Sequence, residues 1–176
     1  RWLVREGHDV HVVASSFADE ALDQGITAHE IRGSRSRTAF AAAAETRLRA
    51  LGLDIVHDTG CGWYGDVIQP HGGARRAAFE QNQLLIPRAM RPWKRALAHW
   101  LPRYREFDRL VARQYADDGR TVIAISKMVA RDLARYHGVR PERIRLVYNG
   151  VDLDQFSPQN RARFRRPLRE KLGIAE

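Results

Sequence analysis

Short apolar runs, each closed by a turn signal and followed by a helical stretch, alternate along this chain. "DVHVVAS" (Asp9 to Ser15) and "GITAHEI" (Gly25 to Ile31) have strand character. "TAFAAAAETRLRAL" (Thr38 to Leu51) is Ala-rich, starts on Thr and has Gly52 just past its end, which predicts a helix. The strands "DIVHDTG" (Asp54 to Gly60) and "DVIQPHGG" (Asp66 to Gly73) follow, then a helical region from about Ala74 to Asp117 and the strand "TVIAIS" (Thr121 to Ser126). "SKMVARDLARYHG" opens on Ser126 as an N-cap and closes on Gly138, and "RIRLVYNG" (Arg143 to Gly150) is the last strand. Apolar strands separated by helices need cover on both faces, so the pattern predicts a doubly wound α/β domain with a mostly parallel sheet.

The ends carry their own expectations. "RWLVREG" reads as the last turns of a helix with a Gly stop, which suggests that the chain starts inside a larger protein. The tail "SPQNRARFRRPLREKLGIAE" is a basic surface connector, with a short helix expected to take Pro167 as its first residue. Residues 1–157 then form one domain, and 158–176 a connector towards a domain beyond it. No internal repeat is present.

At 176 residues and 44% hydrophobic, the chain supports one domain with a core. It holds neither a leader pattern nor an apolar run long enough for a bilayer. Cys61 is the sole cysteine, so an intrachain disulfide is impossible and a thiolate zinc site has no support, which fits a reducing compartment. The formal net charge of +9 calls for anionic partners: nucleic acid, an anionic membrane or phosphorylated small molecules. Of the basic residues, 27 are Arg and 3 are Lys, a skew that codon bias in a GC-rich genome produces without selection for phosphate.

In an open α/β sheet, ligands sit beyond the carboxyl ends of the strands. Four such places are informative: Thr59 and Gly60 in "DTGCGWYG", His71-Gly72-Gly73, Ser126-Lys127, and Asn149-Gly150. The glycines after His71 let a ligand approach backbone N–H groups, which suits a phosphate or a sugar hydroxyl; the same residues also serve a His bonded to a neighbouring loop and a tight turn. Ser126 is explained by capping, and Asn149-Gly150 by a turn. No G-x-G-x-x-G, G-x-x-x-x-G-K-[ST] or G-x-S-x-G occurs, so dinucleotide binding, P-loop hydrolysis and α/β-hydrolase chemistry lack their usual support.

Between Arg88 and Arg113, Met90, Trp93, Leu97, Trp100, Tyr104, Phe107 and Val111 recur at three- and four-residue steps, while eight Arg or Lys cover the other faces. Pro102 divides the stretch into two helices. The stripe either packs on the domain's own sheet or, with Trp93, Lys94, Trp100 and Arg103 in front, meets an anionic membrane.

From Val122 to Pro158 the chain resembles the end of the N-terminal domain of retaining GT-B glycosyltransferases of family 4. A strand ending in Ser, a helix carrying Asp132, a turn with Pro141 and Glu142, and "NGVDLDQFSP" with Asn149, Gly150, Asp152, Phe156 and Pro158 follow one another in that family's order. "REGHDVHVVA" resembles the family's early helix-to-strand step, and "HGG" its loop histidine. "PHGGARRAAFEQ" before the basic helix is similar to lipopolysaccharide-core glucosyltransferases. The resemblance implies the Rossmann-like half of a GT-B fold, truncated at its first strand. It also implies transfer of a sugar, of the hexosyl type, from a nucleotide-sugar to a glycan or lipid-linked acceptor, with no metal or cofactor. His71 would then lie at the reacting centre, with Gly72, Gly73, Thr59, Gly60, Ser126, Asn149 and Gly150 shaping the substrate cleft. Without a donor-binding C-terminal domain this half is expected to be inactive; its place would be the cytoplasm, peripherally on the inner face of the plasma membrane. The rival reading is a non-enzymatic basic α/β binding domain for a polyanion or nucleic acid; helix-turn-helix, zinc and aromatic RNA-binding signatures are missing, so no nucleic-acid partner is expected.

Overall fold

The computed structural model describes residues 2–19, 25–154 and 156–174. A short helix, α1 (Trp2–Arg5), leads through Gly7 into β1 (His11–Ala14), which pairs in parallel with β2 (Thr27–Glu30). After α2 (Arg37–Leu51) come β3 (His57–Asp58), β4 (Val67–Ile68) and α3 (Arg75–Leu84). A 3-10 turn (Arg88–Met90) enters α4 (Arg91–Trp100), and α5 (Pro102–Gln114) follows with Pro102 at its first turn, so the proline restarts the helix as expected. The chain then forms β5 (Thr121–Ala124), α6 (Lys127–His137), a 3-10 turn (Pro141–Arg143), β6 (Ile144–Leu146) and α7 (Gln159–Lys171).

The expected α/β architecture is present, with every pairing parallel. Among the described residues the strands fall into two hydrogen-bonded sheets, β1-β2 and β3-β4-β5-β6. Ile68, Val122, Ala124, Val129 and Leu133 form the main core under α6, and burial of each large aliphatic side chain contributes about 1.5–3 kcal/mol. A second cluster of Ala41, Trp63 and Leu110 joins α2 to α5.

Several boundaries differ from the sequence reading for local reasons. Helix α2 is capped one residue before Arg37, by Ser36, whose Oγ accepts from the Ala39 amide at 3.1 Å; the amide of Thr38, the expected start, donates to Glu106 instead. β4 stops at Ile68 because Pro70 has no N–H to extend the ladder, and β6 stops at Leu146, with Val147 donating a last bond to Ala124. Helix α7 begins after Pro158 and runs through Pro167, which is therefore an interior residue and not the first.

The aromatic stripe divides at Pro102. Phe107 and Val111 are half-buried and Leu110 is buried, whereas Met90, Trp93, Leu97 and Trp100 are exposed, the two tryptophans at 80% and 79%. The face of α4 is thus not covered by the domain's own sheet. Among the described residues no helix is long and apolar enough to cross a membrane.

Candidate functional site

The site is built at the carboxyl ends of β3, β4 and β5. Asp58 ends β3 as a buried carboxylate, and its Oδ1 accepts from the amides of Gly60, Cys61 and Gly62 at 2.6, 3.0 and 3.2 Å. Three N–H donors offset the cost of burying the charge. The loop is fixed from outside as well. Gln114 donates to Gly62 O at 2.6 Å, Arg120 donates to Trp63 O, and the Trp63 indole donates to Glu45 Oε2 at 2.6 Å. The bond from Trp63, joined by one from Arg49, holds the Glu45 carboxyl below its usual range.

This rigid loop seats the next one. Gly60 has φ +94°, and a Cβ there would lie 3.1 Å from Pro70 Cα and 3.8 Å from His71 N, so the backbones of the two loops meet at close range. Pro70 and Gly73 close a turn, Gly73 N to Pro70 O at 2.9 Å, that lifts His71 and Gly72 into solvent. A Cβ at Gly73, φ +69°, would lie 3.4 Å from Val129 Cγ2 in the first turn of α6. Ser126 caps that turn by accepting from the Val129 amide at 3.1 Å, the role its position predicts. The structure therefore brings Gly60, His71, Gly72, Gly73 and Ser126 together, with Thr59 exposed on the same loop. Asn149 and Gly150 are exposed beyond β6.

Beside Gly72 an open groove of about 970 Å³ runs between α3, α5 and the end of α6. Tyr115 and His137 meet at its base in a tilted ring contact, centroids 4.7 Å apart. Burial, with the charge of Asp58 behind it, pushes the Tyr115 hydroxyl up to about 12; burial, with Arg76 nearby, pushes His137 down to about 4. Both are neutral at pH 7, so the base of the groove is uncharged; its charged lining is Arg75 and Arg76 of α3, the Glu80–Arg95 ion pair and Asp108.

Sequence reasoning missed Asp58 and the groove. An Asp two residues before a Gly is an Asx-turn signal that could have found the first; the second is assembled by tertiary packing.

Loops gathered at the carboxyl edge of a parallel sheet, with His71 and its two following glycines among them, are the arrangement of a Rossmann-like domain. The sequence model of Glycosyltransferase Family 4 matches residues 1–155, and the chain belongs to that family. No curated protein matches it. Its fold is similar to that of WaaG, a glycosyltransferase involved in lipopolysaccharide biosynthesis: the TM-score is 0.65 at 16% identity, over 99% of this chain and 46% of that one. A glycosyltransferase from Rickettsia africae ESF-5 gives 0.57 at 16% identity, over 99% and 44%. The chain spans less than half the length of either neighbour, and its architecture is one Rossmann-like half of a GT-B fold.

Proposed function

We propose that this chain is the acceptor-side half of a retaining glycosyltransferase that moves a hexosyl group from a nucleotide-sugar to a glycan or lipid-linked acceptor. Residues 1–157 form this half, and 158–176 lead to a donor-binding domain without which it is inactive. The observation that carries the reading is His71, presented on an exposed turn that Gly60 and Val129 hold from two sides.

Departure of a nucleoside diphosphate leaves negative charge that fixed donors must meet. In our reading His71 meets it on the sugar side. The Gly73 amide is committed to Pro70, so the Gly72 amide is the one that faces substrate. Thr59, Gly60 and Ser126 shape the cleft wall, Asn149 and Gly150 its far rim, and no metal takes part. In the full-length protein, His71→Ala should lower kcat about a hundredfold or more while leaving KM near wild type. A loss confined to KM would remove His71 from the reacting centre.

In our reading the acceptor lies at a membrane, and α4 supports this. Its exposed Trp93 and Trp100, flanked by Lys94 and Arg103, suit the inner face of the plasma membrane, where anionic headgroups attract the bases and the indoles enter the interface. Flotation with anionic vesicles at low salt should retain the wild type and release a Trp93→Ala, Trp100→Ala double variant, with partitioning lower by about tenfold. Equal retention of both proteins would exclude α4 as the contact.

A further inference from the structure

We propose that Arg37 and Arg75 form a binding site for a phosphoryl group beside Gly72. The inference rests on the glycosyltransferase reading only for which molecule carries that group. The Arg37 guanidinium carbon lies 5.0 Å, and that of Arg75 4.2 Å, from the centroid of the Phe107 ring. A ring face offsets part of one cation's charge, not the mutual repulsion of two. Among the described residues neither guanidinium has a carboxylate within ion-pair distance. Of the nearby acids, Glu106 accepts from the Thr38 amide at the head of α2, Glu80 is taken by Arg95, and Asp108 lines the same groove without an ion pair to either arginine. Burial first, and the charge of Arg37 second, hold the Arg75 guanidinium below its ordinary value. Two like charges gathered on one ring without a counterion fit an anion supplied from outside.

The backbone adds to the same field. Arg37 and Arg75 are the first residues of α2 and α3; the positive end of α2 is already met by the Glu106 carboxylate, so it is the positive end of α3 that adds to the charge of Arg75. Helix α2 already has its cap, whereas α3 has Ala74 at its N-cap and no side-chain bond to its free amides. Gly72 has open space where a Cβ would stand, and the groove runs from it past Arg75 and Phe107. Guanidinium forks match phosphate oxygens two at a time, and two of them match a dianion.

The phosphoryl group belongs either to a phosphorylated acceptor or to the donor's diphosphate. Inorganic phosphate should bind the full-length protein saturably in a calorimetric titration. Arg37→Gln and Arg75→Gln should each weaken it about tenfold or more, with phosphate-free melting temperatures no lower than wild type, and Arg75→Lys should fall between. Equal phosphate affinity in wild type and both Gln variants overturns the site, as does the absence of saturable binding to the wild type. Repetition with saturating UDP, GDP or ADP separates the sources: displacement of phosphate assigns the group to the donor, and joint binding assigns it to the acceptor. Sugar transfer is assayed separately. Transfer without phosphate binding removes this site and leaves the enzyme reading intact; phosphate binding without transfer does the reverse.

Discussion

Asp58→Ala is expected to lower the melting temperature by roughly 6–20 °C, which corresponds to about 3–5 kcal/mol for a chain of this size. One carboxylate oxygen serves the amides of Gly60, Cys61 and Gly62, and a methyl group serves none. The Gly62 amide is buried and cannot turn to water, while those of Gly60 and Cys61 are half-buried and recover part of their loss. Asp58→Asn keeps an acceptor without the charge, so it should lose about half as much. It should also bring the Tyr115 hydroxyl, now pushed up to about 12, nearer its ordinary value, because Asp58 is one of the causes of that rise. Thermal unfolding with amide exchange at Gly60 to Gly62 reads the loss of stability, and tyrosinate absorbance on alkaline titration reads the shift at Tyr115. An Ala variant as stable as wild type would show that the loop holds its shape without its anchor, and that the seat under Pro70 and His71 comes from elsewhere.

What the sequence made legible was the chemistry that acts over a few residues. Helix α6 begins and ends where Ser126 and Gly138 say it should, since a hydroxyl cap and a left-handed glycine at φ +65° are settled within one turn. Strand ends were less legible because a strand lasts only as long as its partner: β6 stops when Ala124 runs out, although Val147 and Tyr148 continue the apolar pattern. The stripe through Trp93 and Phe107 has one period but two fates. Periodicity marks an apolar face without saying what covers it, and only beyond Pro102 is it covered, Val111 by the main core and Tyr104 by the Phe79 ring. Of the site, the His71 turn and its glycines could be read from the chain. The meeting of Arg37 with Arg75 could not, since a shared ring on α5 takes two side chains that are far apart in sequence.

Arg143→Ala is the other substitution expected to cost about 3 kcal/mol or more, and its acid dependence separates the contributions. Arg143 is 6% exposed and latches the turn before β6 to the loop before β5: Nε donates to Arg120 O at 2.8 Å, and the two terminal nitrogens reach Asp117 at 3.1 Å and Asp118 at 3.3 Å. The acids keep other partners, Asp117 with Arg140 and Asp118 with Arg120, so what Ala strands is the Arg120 carbonyl and the space left by the arginine stem. Arg143→Met refills the space but not the bond, and should recover about half the loss. For Asp118, burial raises the carboxyl pKa, but the hydrogen bonds and charge of Arg120, with the charge of Arg143, outweigh it and leave the value below its usual range. The folded state therefore binds this proton less readily than the unfolded chain. The contribution is full above about pH 4, the ordinary Asp value, and is lost as pH falls through the folded value. Removal of Arg143 takes away one cause of that depression, so urea unfolding of the Ala variant should show a shallower loss of stability on the acid side than wild type. Parallel acid limbs would mean that Arg120 alone sets the carboxylate, leaving Arg143 a packing residue that keeps Val122 opposite Ile144 and, through β5, keeps Ser126 beneath the His71 turn.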